Sequence, residues 1–264
     1  MAVPQDDNLD DKKMPLLDHL LELRTRLIRS FVGLLVLFFV CYYFAEGLYA
    51  FLMQPLADIL VEEGGNRRMI FTALHEAFFT YIKVAFFAAL FVGFPFIASQ
   101  FWMFVAPGLY KHEKRALLPF LVATPILFFM GGALVYYVIF PLAWKFFLSF
   151  ESMGGAQSLP IQLEAKVGEY LSLVMRLIFA FGLVFQLPVV LTLLARVGMA
   201  TSEGLAEKRK YAIVIAFACA AILTPPDVIS QIGLAVPTLI LYEISIYAVR
   251  LVEKKQAQAQ EEGA

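Results

Sequence analysis

Glu22 and Glu113 are the two carboxylates whose neighbours give them chemistry to perform. Arg24 and Arg26 stand close to Glu22, and Lys111, Lys114 and Arg115 surround Glu113. A carboxylate at the edge of an apolar phase accepts two parallel N–H bonds from a guanidinium, and two such carboxylates suit an incoming basic peptide. The same residues also fit a plainer role, in which exposed ion pairs at a wetted interface balance charge and contribute little energy. Leu16, Leu20, Leu23 and Leu27 recur at helical spacing. Residues 16–27 therefore read as an amphipathic helix with Pro15 in its first turn and Glu22 beside the apolar stripe.

Other polar groups interrupt apolar stretches. Lys83 and Arg176 each lie inside such a stretch, close enough to its end for a long side chain to snorkel to the interface. Gln100, Gln186 and Glu243 lie in apolar surroundings too, where they can bond to one another or line a groove for a partner helix. Asp227 follows Pro225-Pro226 and suits the N-cap of the next helix. Cys41 and Cys219 read as small buried hydrophobes. His75-Glu76 and His112-Glu113 have no second histidine at metalloprotease spacing, and neither a nucleophile elbow nor a phosphate-binding glycine loop occurs. Neither an enzyme, a metal site nor a cofactor site is expected.

The elements that carry these residues follow from composition. Of the 264 residues, 61% are apolar and 16% charged, against about 45–50% and about 25% in soluble domains. That balance excludes a disordered chain, a nucleic-acid binder and an ordinary soluble enzyme. A crossing helix needs about 20 apolar residues. Six spans are predicted: residues 27–44, 77–106, 116–142, 170–195, 211–224 and 228–250. The fifth is short, and Pro225-Pro226 separates it from the sixth. The reading is an all-α integral membrane protein with short fifth and sixth spans. Its single membrane domain covers 1–264, with a cytoplasmic N-terminal segment (1–26), a six-span bundle (27–250) and a polar tail (251–264). Pro95, Pro119, Pro125, Pro188 and Pro237 sit within the spans and predict bent helices in a curved or cupped bundle. The stretches from Phe94-Pro95 to Lys114-Arg115 and from Leu187-Pro188 to Lys208-Arg209 are loosely alike, as in a parallel repeat.

Lys and Arg concentrate on cytoplasmic loops. Lys12, Lys13, Arg24, Arg26 and Arg29, then Lys111, Lys114 and Arg115, then Arg196, Lys208, Arg209 and Lys210, and finally Arg250, Lys254 and Lys255 fall on one side. The other side holds Arg67, Arg68, Lys145 and Lys166. Both termini are therefore expected in the cytoplasm. The acidic residues Asp6, Asp7, Asp10 and Asp11 do not resemble the basic start of a cleaved signal peptide, so the first span is expected to be retained.

Three stretches carry a family resemblance: His19-Leu20-Leu21-Glu22-Leu23-Arg24, Phe104-Val105-Ala106-Pro107-Gly108-Leu109-Tyr110-Lys111-His112-Glu113, and Leu223-Thr224-Pro225-Pro226-Asp227. Together they resemble TatC, the multi-spanning core subunit of the twin-arginine protein translocase. The resemblance implies a receptor that binds Arg-Arg signal peptides of folded cargo on the cytoplasmic face of the bacterial inner membrane. It implies signal-peptide contacts from Glu22, Arg24, Phe104, Leu109, Tyr110, Lys111, His112 and Glu113. It ties Pro55 and Asp227 to translocation. It also implies TatA-type and TatB-type single-span partners near Thr224, Gln231 and Gln186, self-association in a larger complex, and export driven by the proton-motive force. The family often has Glu where this chain has Gln186, an amide that hydrogen-bonds but does not titrate. Two rival classes remain. A small ion- or solute-coupled transporter would use Lys83, Gln100, Arg176, Gln186 and Glu243. An inert scaffold for small membrane helices would leave the two inner carboxylates unexplained.

Overall fold

The computed structural model describes residues 10–62, 69–109, 118–152, 159, 163–224 and 227–262, with side chains from residue 17 to residue 258 apart from 105–109 and 118. Ten α-helices follow one another among them. They are α1 (Asp10–Tyr43), α2 (Ala45–Glu62), α3 (Glu76–Leu109), α4 (Leu118–Leu134), α5 (Phe140–Leu148), α6 (Val167–Val184), α7 (Leu187–Arg196), α8 (Ser202–Glu207), α9 (Arg209–Leu223) and α10 (Val228–Glu262). A π-helical turn, Val135–Ile139, joins α4 to α5. Ile70 pairs with Lys166 in an isolated bridge, which ties the segment before α3 to the start of α6.

Among the described residues five segments are long and apolar enough to cross a membrane: Leu17–Tyr43, Glu76–Phe104, Pro119–Leu148, Val167–Arg196 and Val228–Gln258. They coincide with five of the six predicted spans. The remaining one, α9, has 15 residues, about 22 Å at 1.5 Å per residue, less than the hydrocarbon thickness of about 30 Å.

Several expectations need correction. The sixth helix is not short: α10 has 35 residues, so the stretch 251–262, read as a polar tail, extends the helix. Its Lys, Gln, Ala and Glu are strong helix formers that hydropathy overlooks. The connection between the first two spans contains α2, whose Glu46 and Asp58 interrupt its apolar residues. Helix α1 begins at Asp10, so Pro15 lies inside it rather than in its first turn. Cys41 is buried as anticipated, but Cys219 is exposed.

Proline acts differently at different positions. Pro125 and Pro237 lie inside continuous helices, as does Pro95 in α3. The chain breaks before Pro188, which occupies the first turn of α7. Proline has no N–H to extend the ladder of α6 but suits the start of a new helix. The two stretches that look like a repeat therefore differ at their prolines. Helix α7 ends in a left-handed cap at Gly198, with φ of 76°. The Met199 N–H donates to the Leu194 carbonyl at 2.9 Å and the Gly198 N–H to Ala195 at 3.0 Å, which is the Schellman arrangement.

The main core lies among α2, α5, α6, α10 and the π turn, around Leu56, Phe140, Trp144, Leu171 and Leu234. Helices α4 and α6 approach closely: a Cβ added to Gly131 would sit 2.6 Å from the carbonyl oxygen of Phe181. Small residues allow such contact between membrane helices. Helix α1 packs mainly on α3. Its face bearing Phe31, Leu35 and Phe39 is exposed, as suits a lipid-facing surface.

Candidate functional site

Glu22 lies where α1 crosses the C-terminal end of α3. It is already paired. Arg26, one turn further along α1, donates to Glu22 Oε1 from Nε at 3.0 Å and from Nη2 at 2.7 Å. Arg26 Nη1 also reaches Gln100 Oε1 on α3 at 3.5 Å. The Glu22 and Arg26 side chains are 32% and 18% exposed, whereas Gln100 is buried. One helical turn earlier, His19 stacks on Phe104, with ring centroids 4.3 Å apart and planes 13° from parallel. Two side-chain contacts thus fix the α1–α3 junction, one polar and one aromatic.

This end of the bundle continues through Trp102, whose indole N–H donates to Thr124 Oγ1 on α4 at 2.9 Å. The Gln186 amide donates to the Thr124 carbonyl at 3.0 Å. The Arg196 guanidinium lies 5.0 Å from the Phe120 ring centre. The C-terminal part of α10 then holds the α7–α9 connection. Glu253 accepts from the Ser202 backbone N–H at 2.8 Å and from its hydroxyl at 2.6 Å, and Gln256 donates to the Arg196 carbonyl at 3.2 Å. Glu243, read from sequence as a groove or bundle residue, pairs instead with Arg209 through two bonds of 2.6 and 2.9 Å. The N-terminal half of α1 and the C-terminal half of α10 consequently share one end of the molecule.

Arg24 is exposed on α1. Leu109 ends α3, its side chain outside the described set, and Tyr110, Lys111, His112 and Glu113 lie outside the described residues. Thr224 is buried at the end of α9, its hydroxyl donating to the Ala220 carbonyl at 2.8 Å. Asp227 caps α10: its Oδ1 accepts the Ser230 N–H at 2.7 Å. Its Oδ2 is buried and has no hydrogen-bond partner among the described residues. Gln231 reaches back to the Phe217 carbonyl of α9 at 3.5 Å. Thr224, Asp227 and Gln231 therefore belong to one junction, while Gln186 is engaged with α4. An apolar cleft of about 360 Å³ opens between α7, α9 and α10, lined by Leu187, Leu191, Ile215 and Leu239. Pro55 is buried within α2, at the end of the molecule opposite Glu22.

His19, Arg26 and Gln100 complete the α1–α3 junction but were absent from the anticipated contact set. The i,i+4 spacing of Glu22 and Arg26 was a visible signal for the first pair; the cross-helix contacts had none. Among the described residues no cluster of His, Cys, Asp and Glu could hold a metal ion.

Comparison with known proteins gives a consistent result. The family model for the Sec-independent protein translocase protein TatC matches residues 18–237. The chain is 53% identical over 252 residues to the TatC protein of Magnetococcus marinus, covering 95% of this chain and 90% of that one. Against the Escherichia coli K12 TatC protein it is 40% identical over 247 residues, covering 94% and 92%. A crystal structure of the twin-arginine translocase receptor TatC aligns with a TM-score of 0.72 at 38% identity, covering 88% of this chain and 98% of that one. The five apolar crossing-length helices, the sequence identity and the shared fold agree: the chain is a multi-pass membrane protein belonging to the TatC family.

Proposed function

We propose that this chain is the receptor and core subunit of a twin-arginine translocase in a bacterial inner membrane. It binds Arg-Arg signal peptides with the end of the bundle that carries Glu22, and that end faces the cytoplasm. The observation that carries this reading is the α1–α3 junction. Glu22 is held by Arg26, which Gln100 anchors in turn, beside the end of α3 that leads in sequence into the segment from Tyr110 to Glu113. Both Arg26 bonds fall on Oε1 of Glu22, and Oε2, without a partner among the described residues, is the oxygen that takes an incoming guanidinium. Arg24, Phe104 and Leu109 flank the same junction, and Glu113 supplies the second carboxylate. Helix α9 is the short fifth span, giving six spans and both termini on the cytoplasmic side.

The partners are TatA-type and TatB-type single-span subunits, docking near Thr224, Gln231 and Gln186 along α9, α10 and the cleft beside them. Pro55 and Asp227 serve translocation from the opposite end. Export is driven by the proton-motive force and requires no catalysis by this chain. The test is photocrosslinking from position 110 or 113 in membranes, with an Arg-Arg signal peptide and its Lys-Lys counterpart. A crosslink specific to Arg-Arg supports the receptor. Equal crosslinking to both peptides, or to neither with partner subunits present, refutes it.

A further inference from the structure

At the end of the molecule opposite Glu22, a cavity of about 680 Å³ opens between the N-terminal halves of α3 and α6. Lys83 of α3 and Arg176 of α6 both line it. We propose that this cavity binds the phosphate headgroup of an anionic phospholipid, with Lys83 and Arg176 as its two cationic contacts.

The cavity wall contains Glu76, Glu169, Lys166 and His75 besides the two cations. Its carboxylates are already engaged. Glu76 Oε2 accepts from the backbone N–H groups of Thr72 at 2.8 Å and Ala73 at 3.3 Å, and its Oε1 accepts from Gly168 at 3.1 Å. Glu169 pairs with Lys166 at 3.3 Å. The His75 ring meets the edge of Phe79. Among the described residues neither Lys83 nor Arg176 has a hydrogen bond or an ion pair. Glu76 keeps its negative charge, since its donors are neutral backbone N–H groups, and Lys166 and Glu169 offset one another; Lys83 and Arg176 therefore outnumber the remaining carboxylate two to one, and the cavity keeps an excess of positive charge.

Depth and surroundings select the anion. Lys83 lies seven residues into α3 and Arg176 nine residues into α6, about 10 Å and about 14 Å along the helix axes. Both are thus inside crossing segments, Glu76–Phe104 and Val167–Arg196, where an uncompensated charge is costly. A phosphodiester drawn in from the leaflet supplies a negative charge at this level. Arg176 can engage two of its oxygens in parallel, while Lys83 acts as a point charge. On α3 the stripe that carries Lys83 also carries Phe79 and Phe86, both about half-exposed, and Leu173 lines the cavity from α6. These apolar surfaces can hold acyl chains, which favours a lipid over free phosphate. Basic pockets between membrane helices hold anionic headgroups by the same physics.

Native mass spectrometry of the full-length protein, purified in mild detergent, tests this with phosphatidylglycerol, phosphatidylcholine and inorganic phosphate as separate probes. Phosphatidylglycerol is expected to remain bound at higher occupancy than phosphatidylcholine, and millimolar inorganic phosphate is expected not to displace it. Lys83→Gln and Arg176→Gln should each weaken retention about fivefold, and the charge-preserving variant Lys83→Arg should retain it. Each variant is checked for an unchanged melting temperature, and the single variants carry the test if the double variant does not fold. Equal lipid retention by well-folded Lys83→Gln and Arg176→Gln overturns the proposal. So does displacement by inorganic phosphate, which would mark a soluble-anion site. Loss of a co-purifying protein with lipid retention unchanged would assign the two cations to a protein acid and also overturn it.

Discussion

The Tyr136 hydroxyl donates to the Phe51 carbonyl at 2.6 Å, and that carbonyl lies four residues before Pro55, where a helix normally supplies an N–H. Proline has none. The Tyr136 ring also stacks on Phe51, 4.5 Å apart and 4° from parallel. Tyr170 adds a bond of 3.2 Å to the next carbonyl, Leu52. The carbonyl that Pro55 leaves without a helical donor is thus satisfied from the π turn, and α6 adds a second bond one residue further on. Replacing Tyr136 by Phe keeps the stack and orphans the carbonyl, so a loss of about 1–3 kcal/mol is expected, read as a lower midpoint of thermal unfolding in detergent. If Pro55→Ala removes most of the penalty of Tyr136→Phe, the two groups are coupled as described; additive losses would show that they are not.

Glu22→Gln keeps size and loses charge. The bonds from Arg26 weaken, and the amide can accept only at its oxygen. Under the receptor reading, affinity for an Arg-Arg signal peptide should fall about tenfold, measured by fluorescence anisotropy with protein in nanodiscs. Gln100→Leu should weaken binding less, because it frees Arg26 on one side without removing the carboxylate.

Asp227 separates two roles by substitution. Asn retains the cap on the Ser230 N–H, whereas Ala loses it at a cost of about 1 kcal/mol. If capping is its whole contribution, Asp227→Asn should export cargo at the wild-type rate. If the buried Oδ2 has a further part in translocation, Asp227→Asn should be as stable as wild type and defective in export. Transport into inverted membrane vesicles distinguishes the outcomes.

Gly131→Ala places a methyl group 2.6 Å from a backbone oxygen of α6. Backbone cannot rotate away as a side chain can, so the helices must separate. A loss of about 1–3 kcal/mol is expected, seen as a lower melting temperature. Gly47→Ala, where nothing lies within 4 Å, serves as the control and should be neutral or stabilising.

Hydropathy found the five long crossing helices because a bilayer demands long apolar runs and little else. It missed α2, whose acidic residues and proline interrupt its apolar pattern. It ended α10 too soon, since Lys254, Lys255 and Gln256 favour helix without favouring lipid. Glu22 could be singled out because its acid–base neighbours lie within one helical turn. The partners of Gln100, Glu243 and Phe104 could not be read, because they come from other helices. The largest omission was the meeting of Lys83 and Arg176. Each alone resembles a snorkelling residue, and only the packing of α3 against α6 places them in one cavity.

The contacts of α1 carry a consequence for biogenesis. Its chief neighbour, α3, starts at Glu76, and the intervening α2 touches α1 only lightly. During synthesis α1 therefore enters the bilayer before the surface it will pack against has been made. Its uncharged, largely exposed run from Ser30 to Tyr43 makes that solitary interval tolerable. Ribosome-arrested chains ending before α3 should already hold α1 across the membrane with Glu22 and Arg26 paired within it, whereas Arg26 and His19 should acquire their α3 partners, Gln100 and Phe104, only after that helix has been inserted.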